Sequence, residues 1–252
     1  MQFTVGKGRV SLNVRDQASL MAIIEDRLRL GQGFALATMN VDHLEKLQFD
    51  KAFRAAYAAH DLVVADGNPV VWLARLAGHQ FSLVPGSDLV QPLCALAARL
   101  DKPIAIIGGS QEGCEEASRR LTAEHPGLRV ALVAAPGFPF DPEGPEADVL
   151  IRRLAGSGVA LCLLALGASR QEIFAARASR HCHGMGFASV GAGIDFIVGR
   201  QKRAPRVMRV AKLEWLWRAA LSPKRLGMRY VKGALILPAH AVRAIAQRSR
   251  QG

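Results

Sequence analysis

The sequence lacks the cysteine pairs and long apolar runs that would place it in several common classes. Its four cysteines contain no CxxC pair, which favours reduced, buried thiols over disulfides or metal ligands. No secretory signal precedes the first charged residues, so we expect a cytoplasmic protein. The longest apolar run, residues 159–168, contains a glycine and falls short of the roughly 20 residues that span a membrane. The chain is therefore predicted not to cross a membrane, although it can lie on one.

The common nucleotide and hydrolase signatures are also missing. There is no GxGxxG fingerprint, no GxxxxGK[ST] loop and no GxSxG elbow, which argues against dinucleotide binding of the usual type, P-loop ATP hydrolysis and the common hydrolase mechanism. His181 and His183 flank Cys182, but alternate positions do not share one face of a helix. We therefore predict no metal site and no cofactor.

Acidic residues almost disappear from the last fifth of the chain. Residues 200–252 contain 14 Lys and Arg against one acidic residue, whereas residues 1–199 contain 19 against 20, so the net charge of +12 belongs to the tail. A charge concentrated in this way indicates contact with nucleic acid, anionic lipid or a phosphorylated substrate. We expect an α/β catalytic core over residues 1–199 and a basic, largely helical appendage over residues 200–252.

The composition of the tail argues against nucleic acid. It has no zinc ligands, no aromatic RNP-type strand and no zipper. Trp215 and Trp217 stand among leucines, which predicts a helix with an apolar face and cationic flanks. Two interpretations remain open: a helix that lies on the membrane surface, or a solvated basic helix packed on the core through its tryptophans.

The rest of the chain alternates short apolar runs with helical patterns after an initial hairpin over residues 1–14. The predicted strands cover residues 33–39, 62–65, 104–107, 128–134, 159–166 and 187–190. The predicted helices cover residues 20–30, 43–59 with Asp42 as the cap, 70–76, a segment from 87 or 88 to 100, 112–124, 147–154 and a segment ending near 179. Alternating strands and helices with nearly continuous apolar strands predict a Rossmann-like α/β fold, a parallel sheet covered by helices on both faces.

Small polar residues lie at or after the ends of five of the predicted strands. They are Thr38 and Asn40, Asp66, the loop of residues 108–110, Gln171 with Glu172, and Asp195. Because ligands of parallel sheets bind at the carboxyl ends of the strands, these residues predict a site there. A Pro- and Gly-rich loop over residues 136–145 is positioned to close over it.

Several motifs occur together and in order. They are TMN at residues 38–40, VADG at residues 64–67 followed by PVVWLAR, GSDL at residues 86–89, GxxxQE at residues 167–172, and GAGIDFIVGRQKRAP, LEWLWR and SPKRL from residue 191 onward. From about residue 14 to residue 230 the sequence resembles the WecG/TagA/CpsF glycosyltransferases. The resemblance implies an inverting transferase that moves a sugar from a UDP donor to a polyprenyl-diphosphate-linked acceptor, at the cytoplasmic face of the membrane, during assembly of a bacterial surface polysaccharide.

The resemblance also implies residue roles. Asp66 matches the general base of the family, and Thr38 and Asn40 match positions that orient substrate hydroxyls. From the residues alone, a turn aspartate bonded to its own loop is the preferred interpretation of Asp66. Helix capping is the alternative role of Thr38 and Asn40, and Asp42 can also supply that cap.

The expected nucleotide contacts are Gln171 and Asp195, whose carboxylate can accept the uracil N–H. Arg218, Arg225 and Arg229 match arginines that close over the diphosphate, since the guanidinium fork pairs with phosphate oxygens without a metal. Contact with lipid headgroups is the alternative use of these arginines. The remaining predicted substrate-binding residues are Gly67, Asp88, Gly108, Gly167, Glu172, Gly191, Gly193 and Arg203.

Two positions depart from the family pattern. Leu83, Val84 and Pro85 replace an arginine that many members carry, and residues 168–170 replace the proline-containing turn before QE. Two other classes of function stay open at this point: a non-catalytic nucleotide-binding module with a membrane- or nucleic-acid-binding tail, and a Rossmann-type oxidoreductase.

Overall fold

The computed structural model of the protein describes residues 1–201 and 223–249, with the backbone alone for residues 223–230. Arg203, Trp215, Trp217 and Arg218 lie outside the described residues. Arg225 and Arg229 lie on a described helix.

A small antiparallel hairpin precedes a six-stranded parallel sheet, as the sequence predicts. The hairpin is formed by β1 (Gln2–Val5) and β2 (Gly8–Ser11). The sheet is formed by β3 (Phe34–Met39), β4 (Leu62–Ala65), β5 (Ile104–Gly108), β6 (Val130–Ala134), β7 (Leu161–Ala165) and β8 (Gly186–Ser189), in the order β4-β3-β8-β7-β5-β6. All neighbouring strands of this sheet are parallel.

The helices of the described ranges connect these strands and follow them. They are α1 (Gln17–Leu30), α2 (Val41–Phe49), α3 (Lys51–Ala58), α4 (Asn68–Leu76), α5 (Gly86–Arg99), α6 (Gln111–Glu124), α7 (Pro145–Ala155), α8 (Arg170–Ala178), α9 (Gly193–Ile197) and α10 (Pro223–Arg248).

Both faces of the sheet are covered, which explains why its strands are apolar throughout. Leu36, Val64 and Leu163 pack on one face under α1, α5, α6 and α9. The other face is covered at one end by α7 and α8 and at the other by α2, α3, α4 and α10. The predicted Rossmann-like α/β fold is confirmed.

The four cysteines are unpaired and buried. Burial raises the pKa of the Cys94 thiol to about 12, with a smaller contribution from the charge of Glu124. A thiol of this kind stays protonated and unreactive at neutral pH.

The prediction of a single helix over residues 43–59 capped by Asp42 is wrong in two respects. Asn40, in an extended conformation directly after β3, is the cap, and its Oδ1 accepts a hydrogen bond from the His43 amide at 3.1 Å. Asp50 ends α2 and caps α3 through the Phe53 amide. This break lets the apolar faces of both helices reach the same core.

The C-terminal helix α10 packs on the core beside α2, α4 and the hairpin. A methyl group placed on Gly233 would lie 2.8 Å from Val41 Cγ1, at the start of α2. His240 Nε2 lies 3.2 Å from Nε2 of Gln48, near the end of α2, and the His240 ring packs edge-on against Phe3. The two helices therefore run in the same direction, and the division of the chain at residue 200 stays a prediction.

The first part of α10 extends past the sheet. Gly233 lies beside the start of α2, which directly follows β3. The ten residues between Pro223 and Gly233 therefore extend roughly 15 Å beyond the carboxyl end of that strand, at a rise of about 1.5 Å per residue. Across residues 1–201 and 223–249, no helix combines the length and apolar composition needed to cross a membrane.

A test of the sheet concerns Gly108, at the carboxyl end of β5. Its φ is +130°, and a Cβ there would lie 2.4 Å from the carbonyl carbon of Ala165 on β7. We expect Gly108→Ala to lower the free energy of unfolding by roughly 2 kcal/mol or more, because backbone strain and steric overlap add.

The matched control is Gly158→Ala. Gly158 also has a positive φ, of 68°, but a Cβ there meets nothing within 4 Å, so we expect a loss of only about 1 kcal/mol. Urea denaturation of both variants measures the difference, and equal losses would contradict the close approach of β5 and β7.

Candidate active site

The predicted site residues follow strands that end along one edge of the sheet, here called the carboxyl edge. Asp66 follows β4, Asn40 follows β3, and the glycine-containing turns at residues 108–110, 167–169 and 191–193 follow or end β5, β7 and β8. From β4 to β5 there are four strand intervals, or about 19 Å at 4.8 Å each. An elongated substrate can therefore contact several strand ends at once.

Asp66 and Asn40 lie side by side on neighbouring strands. The Asp66 amide donates to the Met39 carbonyl at 2.7 Å, and a Cβ on Gly67 would lie 3.7 Å from Asn40 Cβ. Both side chains are partly exposed. Gly67, with φ of +121°, makes the turn into α4, so the carboxylate is fixed at the point where strand becomes helix.

Thr38 lies inside β3, two residues after Leu36, and is buried on the face of the sheet that α5 covers. A Cβ on Gly86, the first residue of α5, would lie 3.0 Å from Thr38 Oγ1 and 3.2 Å from the Ser189 carbonyl oxygen. Glycine at this position therefore lets α5 begin directly against β3 and β8. Asp88, in the first turn of α5, is partly exposed near the same edge.

Gly191 lies in the turn from β8 into α9, and Gly193 and Asp195 lie in the first turn of α9. A Cβ on Gly193 would lie 2.6 Å from Val90 Cγ2, so this glycine lets α9 pack on α5. Asp195 is partly exposed, and its Oδ2 accepts a hydrogen bond from Gln201 at 3.0 Å.

Arg200 is a residue that the sequence did not single out. Its Nη1 donates to Ser110 Oγ at 2.5 Å, and a Cβ on Gly113 would meet the same guanidinium. Ser110 is the N-cap of α6, where the helix dipole already favours an anion over a cation. The Arg200 guanidinium therefore adds a positive charge beside the Gly108–Ser110 turn, close to the acidic Glu112 of the same helix.

Gln171 and Glu172 begin α8 but are almost completely buried, at 2% and 0% exposure. Gln171 Nε2 donates to Glu172 Oε1 at 2.8 Å. The amide oxygen of Gln171, Oε1, and the second carboxyl oxygen of Glu172, Oε2, are also buried and have no hydrogen-bond partner among the described residues. Ser189 Oγ, at the end of β8, shares this property.

Burial sets the protonation of Glu172. It raises the pKa of this carboxyl from 4.5 to about 7, partly offset by its hydrogen bonds and by Lys46. Tyr57 lies in the same cluster, where its hydroxyl is 2.9 Å from His43 Nδ1. Burial, followed by the charges of Glu172 and Asp66, raises the pKa of Tyr57 well above its ordinary value.

Two surface recesses lie away from the predicted residues. One of about 560 Å³ is lined by Arg15, Asp16, Arg75, Gln80, Phe81 and Ser82. The other, of about 320 Å³, lies between α3 and α8. Because neither recess contains a strand-end residue, we base the site on the geometry of the carboxyl edge. Within the part of the chain that the structure describes, no group of three or more His, Cys, Asp or Glu side chains is placed to hold a metal ion.

The raised pKa of Glu172 makes the stability of the fold depend on pH. Between pH 4.5 and about 7 the folded chain keeps a proton that the unfolded chain releases, so the free energy of unfolding falls as the pH rises through this window, by up to roughly 3 kcal/mol. The Glu172→Gln variant has no carboxyl at this position, so its free energy of unfolding does not fall in this way. We expect the variant to gain up to roughly 3 kcal/mol relative to the wild type between pH 5 and pH 8, measured by urea denaturation.

Glu115→Gln is the control, because Glu115 is exposed on α6. The difference in free energy of unfolding between Glu115→Gln and the wild type should be the same at pH 5 and at pH 8. A Glu172→Gln difference that does not change with pH would mean that Glu172 is ionised in the folded protein.

A comparison with known protein families identifies the family of the chain. The profile of the family described as "Glycosyl transferase WecG/TagA/CpsF family" matches residues 8–251, nearly the whole chain. A match of this length covers both the sheet and the C-terminal helix that packs on it. The chain belongs to the WecG/TagA/CpsF family of glycosyltransferases, whose members act in the synthesis of cell-surface glycopolymers.

Proposed function

We propose that the protein is an inverting glycosyltransferase that moves a sugar from a UDP donor to a polyprenyl-diphosphate-linked acceptor, with Asp66 as the general base. The observation that carries the proposal is the arrangement along the carboxyl edge. A partly exposed carboxylate stands at β4, and an arginine at a helix N-terminus stands at β5, four strand intervals away. Such an edge suits an extended donor nucleotide whose sugar and adjoining diphosphate lie near the carboxylate and whose uridine extends toward the other strand ends.

In the proposed reaction, the Asp66 carboxylate accepts the proton of an acceptor hydroxyl. The oxygen then forms a bond to the anomeric carbon as the bond from that carbon to the UDP oxygen breaks. UDP leaves with the electron pair, and attack opposite the leaving group inverts the configuration. A free aspartate has a pKa of about 3.9 and is a weak base, so it accepts the proton mainly as the new bond forms, an effect of roughly 10²–10⁴ in rate.

The diphosphate is bonded directly to the reacting sugar and is therefore proposed to bind on the Asp66 side of the edge, next to the basic tail. Backbone amides at the start of α6 and the Arg200 guanidinium attract the anionic nucleotide to the same edge. Arg225 and Arg229 lie on the part of α10 that extends past the carboxyl edge, where they are proposed to join Arg203 and Arg218 in stabilising the leaving group. Fixed positive charges aimed at a developing anion can serve without a metal ion.

The exposed face of α10 supports contact with the cytoplasmic face of the membrane. Val231, Leu235, Val242 and Ile245 are exposed, at 52% to 75%, on the side opposite the buried Gly233, His240 and Ala244. Lys232, Arg243 and Arg248 flank this apolar stripe. An apolar face between cations suits a helix that lies in an anionic membrane surface, where the lipid-linked acceptor is found.

Asp66→Asn tests the assignment of the base. We expect the rate of sugar transfer from UDP-sugars to lipid-linked acceptors to fall by roughly 10²–10⁴, because the amide cannot accept the proton. Asp26→Asn, which changes an exposed carboxyl on α1, should leave the rate unchanged. A fully active Asp66→Asn variant would remove Asp66 from this role.

Calorimetric titration of the same proteins with UDP, GDP and NAD tests the nucleotide. Asp66→Asn and the wild type should both bind UDP in preference to the other two, because the base lies at the acceptor end. UDP binding without turnover on any acceptor would favour a non-catalytic nucleotide-binding module. Preference for NAD would favour an oxidoreductase.

Replacing Leu235 and Val242 with serine tests the membrane face. Since each apolar side chain contributes roughly 1.5–3 kcal/mol when fully buried, we expect binding to vesicles of phosphatidylglycerol and phosphatidylcholine to weaken at least about tenfold. Leu30 and Val149 are also exposed, and their replacement by serine is the matched control. Equal vesicle binding by both double variants would contradict the proposed surface.

A further inference from the structure

Lys46 connects two strand ends of the carboxyl edge that are not adjacent in the sheet. It lies on α2, which follows β3, and its Nζ donates to the Ala168 carbonyl oxygen at 3.1 Å, in the turn between β7 and α8. The same ammonium pairs with Asp42 Oδ2 at 3.1 Å. Strand β8 lies between β3 and β7. Lys46 therefore ties the helix capped by Asn40 to the turn that leads into Gln171.

Glu172 lies close enough to this ammonium for the two charges to influence each other. The positive charge of Lys46 favours the ionised form of Glu172, whereas burial and the negative charge of Asp42 oppose it. The other groups around Glu172 are Gln171 on its own helix and Tyr57 on α3, which also interacts with Asp66. His43 on α2 reaches the cluster through its contact with the Tyr57 hydroxyl.

The ionisation of Glu172 would change what Lys46 binds. As a neutral acid, Glu172 needs no counterion, and Lys46 is shared between Asp42 and the turn. As a carboxylate, Glu172 would be a buried charge with one oxygen, Oε2, that has no hydrogen-bond partner among the described residues. Such a charge is costly unless it is paired, and Lys46 is the cation that already acts on it.

We propose that Lys46 and Glu172 are positioning residues for the transfer reaction. Lys46 holds the β7–α8 turn, which borders the edge where the donor is proposed to bind, and the neutral form of Glu172 leaves Lys46 free to do so. Ionisation of Glu172 draws Lys46 away from the Ala168 carbonyl and loosens the turn. The contact of Lys46 with the Ala168 carbonyl is here called the clamp. Its role in catalysis rests on the proposed function, whereas the clamp itself can be measured without it.

Amide hydrogen exchange measures the clamp directly. The amides of Gln171 and Ile173 donate to Gly167 and Ser169, so they report the order of the turn. We expect Lys46→Met to speed their exchange roughly tenfold at pH 6, because a hydrogen bond from a charged group contributes about 1.5–3 kcal/mol. Lys46→Arg, which keeps the charge and a donor, should restore most of the protection. Lys7→Met, at the exposed hairpin turn, is the control and should change nothing.

The effect of pH separates a positioning role from a merely structural one. After correction for intrinsic exchange rates, the wild type should lose protection of these two amides between pH 6 and pH 8, whereas Glu172→Gln should keep it. In a transferase assay, the KM for the UDP-sugar should rise over the same interval in the wild type and stay constant in Glu172→Gln. Lys46→Met should have the raised KM at both pH values.

Each outcome bears on one of the two proposals. Unchanged exchange in Lys46→Met, or the same pH dependence in the wild type and Glu172→Gln, would overturn the clamp. The expected exchange pattern in a protein that transfers no sugar would leave the clamp standing and overturn the proposed function. If amide exchange follows the expected pattern but Lys46→Met and Glu172→Gln have the same KM for the UDP-sugar as the wild type, the clamp does not position the donor.

Discussion

Burial of the sheet on both faces is the constraint on which the rest of this structure depends. The strands between α1, α5, α6 and α9 on one side and the remaining helices on the other are almost entirely apolar, so the interior of the sheet offers little place for reactive side chains. Parallel pairing then brings five strand ends with polar or glycine-rich turns to one edge. The candidate active site lies at this edge because the backbone and the side chains of these turns are available to a ligand there.

Close backbone approaches shape that edge. Gly86 lets α5 begin against Thr38 and the Ser189 carbonyl, Gly193 lets α9 pack on α5, and Gly108 lets β5 end beside Ala165. At each of these positions a Cβ would fall within about 3 Å of a neighbouring atom. The polar groups nearby are consequently held by packed backbone, which keeps their separation fixed without a bound ligand.

A buried carboxyl gives the same edge a dependence on pH. Glu172 is fully buried and has a pKa of about 7, so its charge changes where an enzyme ordinarily works. Its neighbours include the lysine that joins α2 to the β7–α8 turn and the Tyr57–His43 pair, whose tyrosine also interacts with Asp66. Protonation of Glu172 can in this way affect residues on α2, α3 and α8. The low polarity of their surroundings lets charges act over longer distances.

The sequence by itself determined the class of the fold, the order of its elements and the family. The periodicity of apolar residues is a local property, so it locates nearly every strand and helix, and the ordered motifs from TMN to SPKRL identify the glycosyltransferase family. The sequence also named Asp66 and Asn40, which the fold places side by side. It did not distinguish Asn40 from Asp42 as the cap of α2, since both are good caps and only the extended backbone at Asn40 selects one.

Burial was decided by the tertiary structure. Gln171 and Glu172 look like exposed polar residues of a helix start, yet α8 packs them into the core. Arg200 at α6 and Lys46 at Ala168 meet partners 90 and 122 residues away, and such contacts exist only once the parallel sheet has brought the strand ends together.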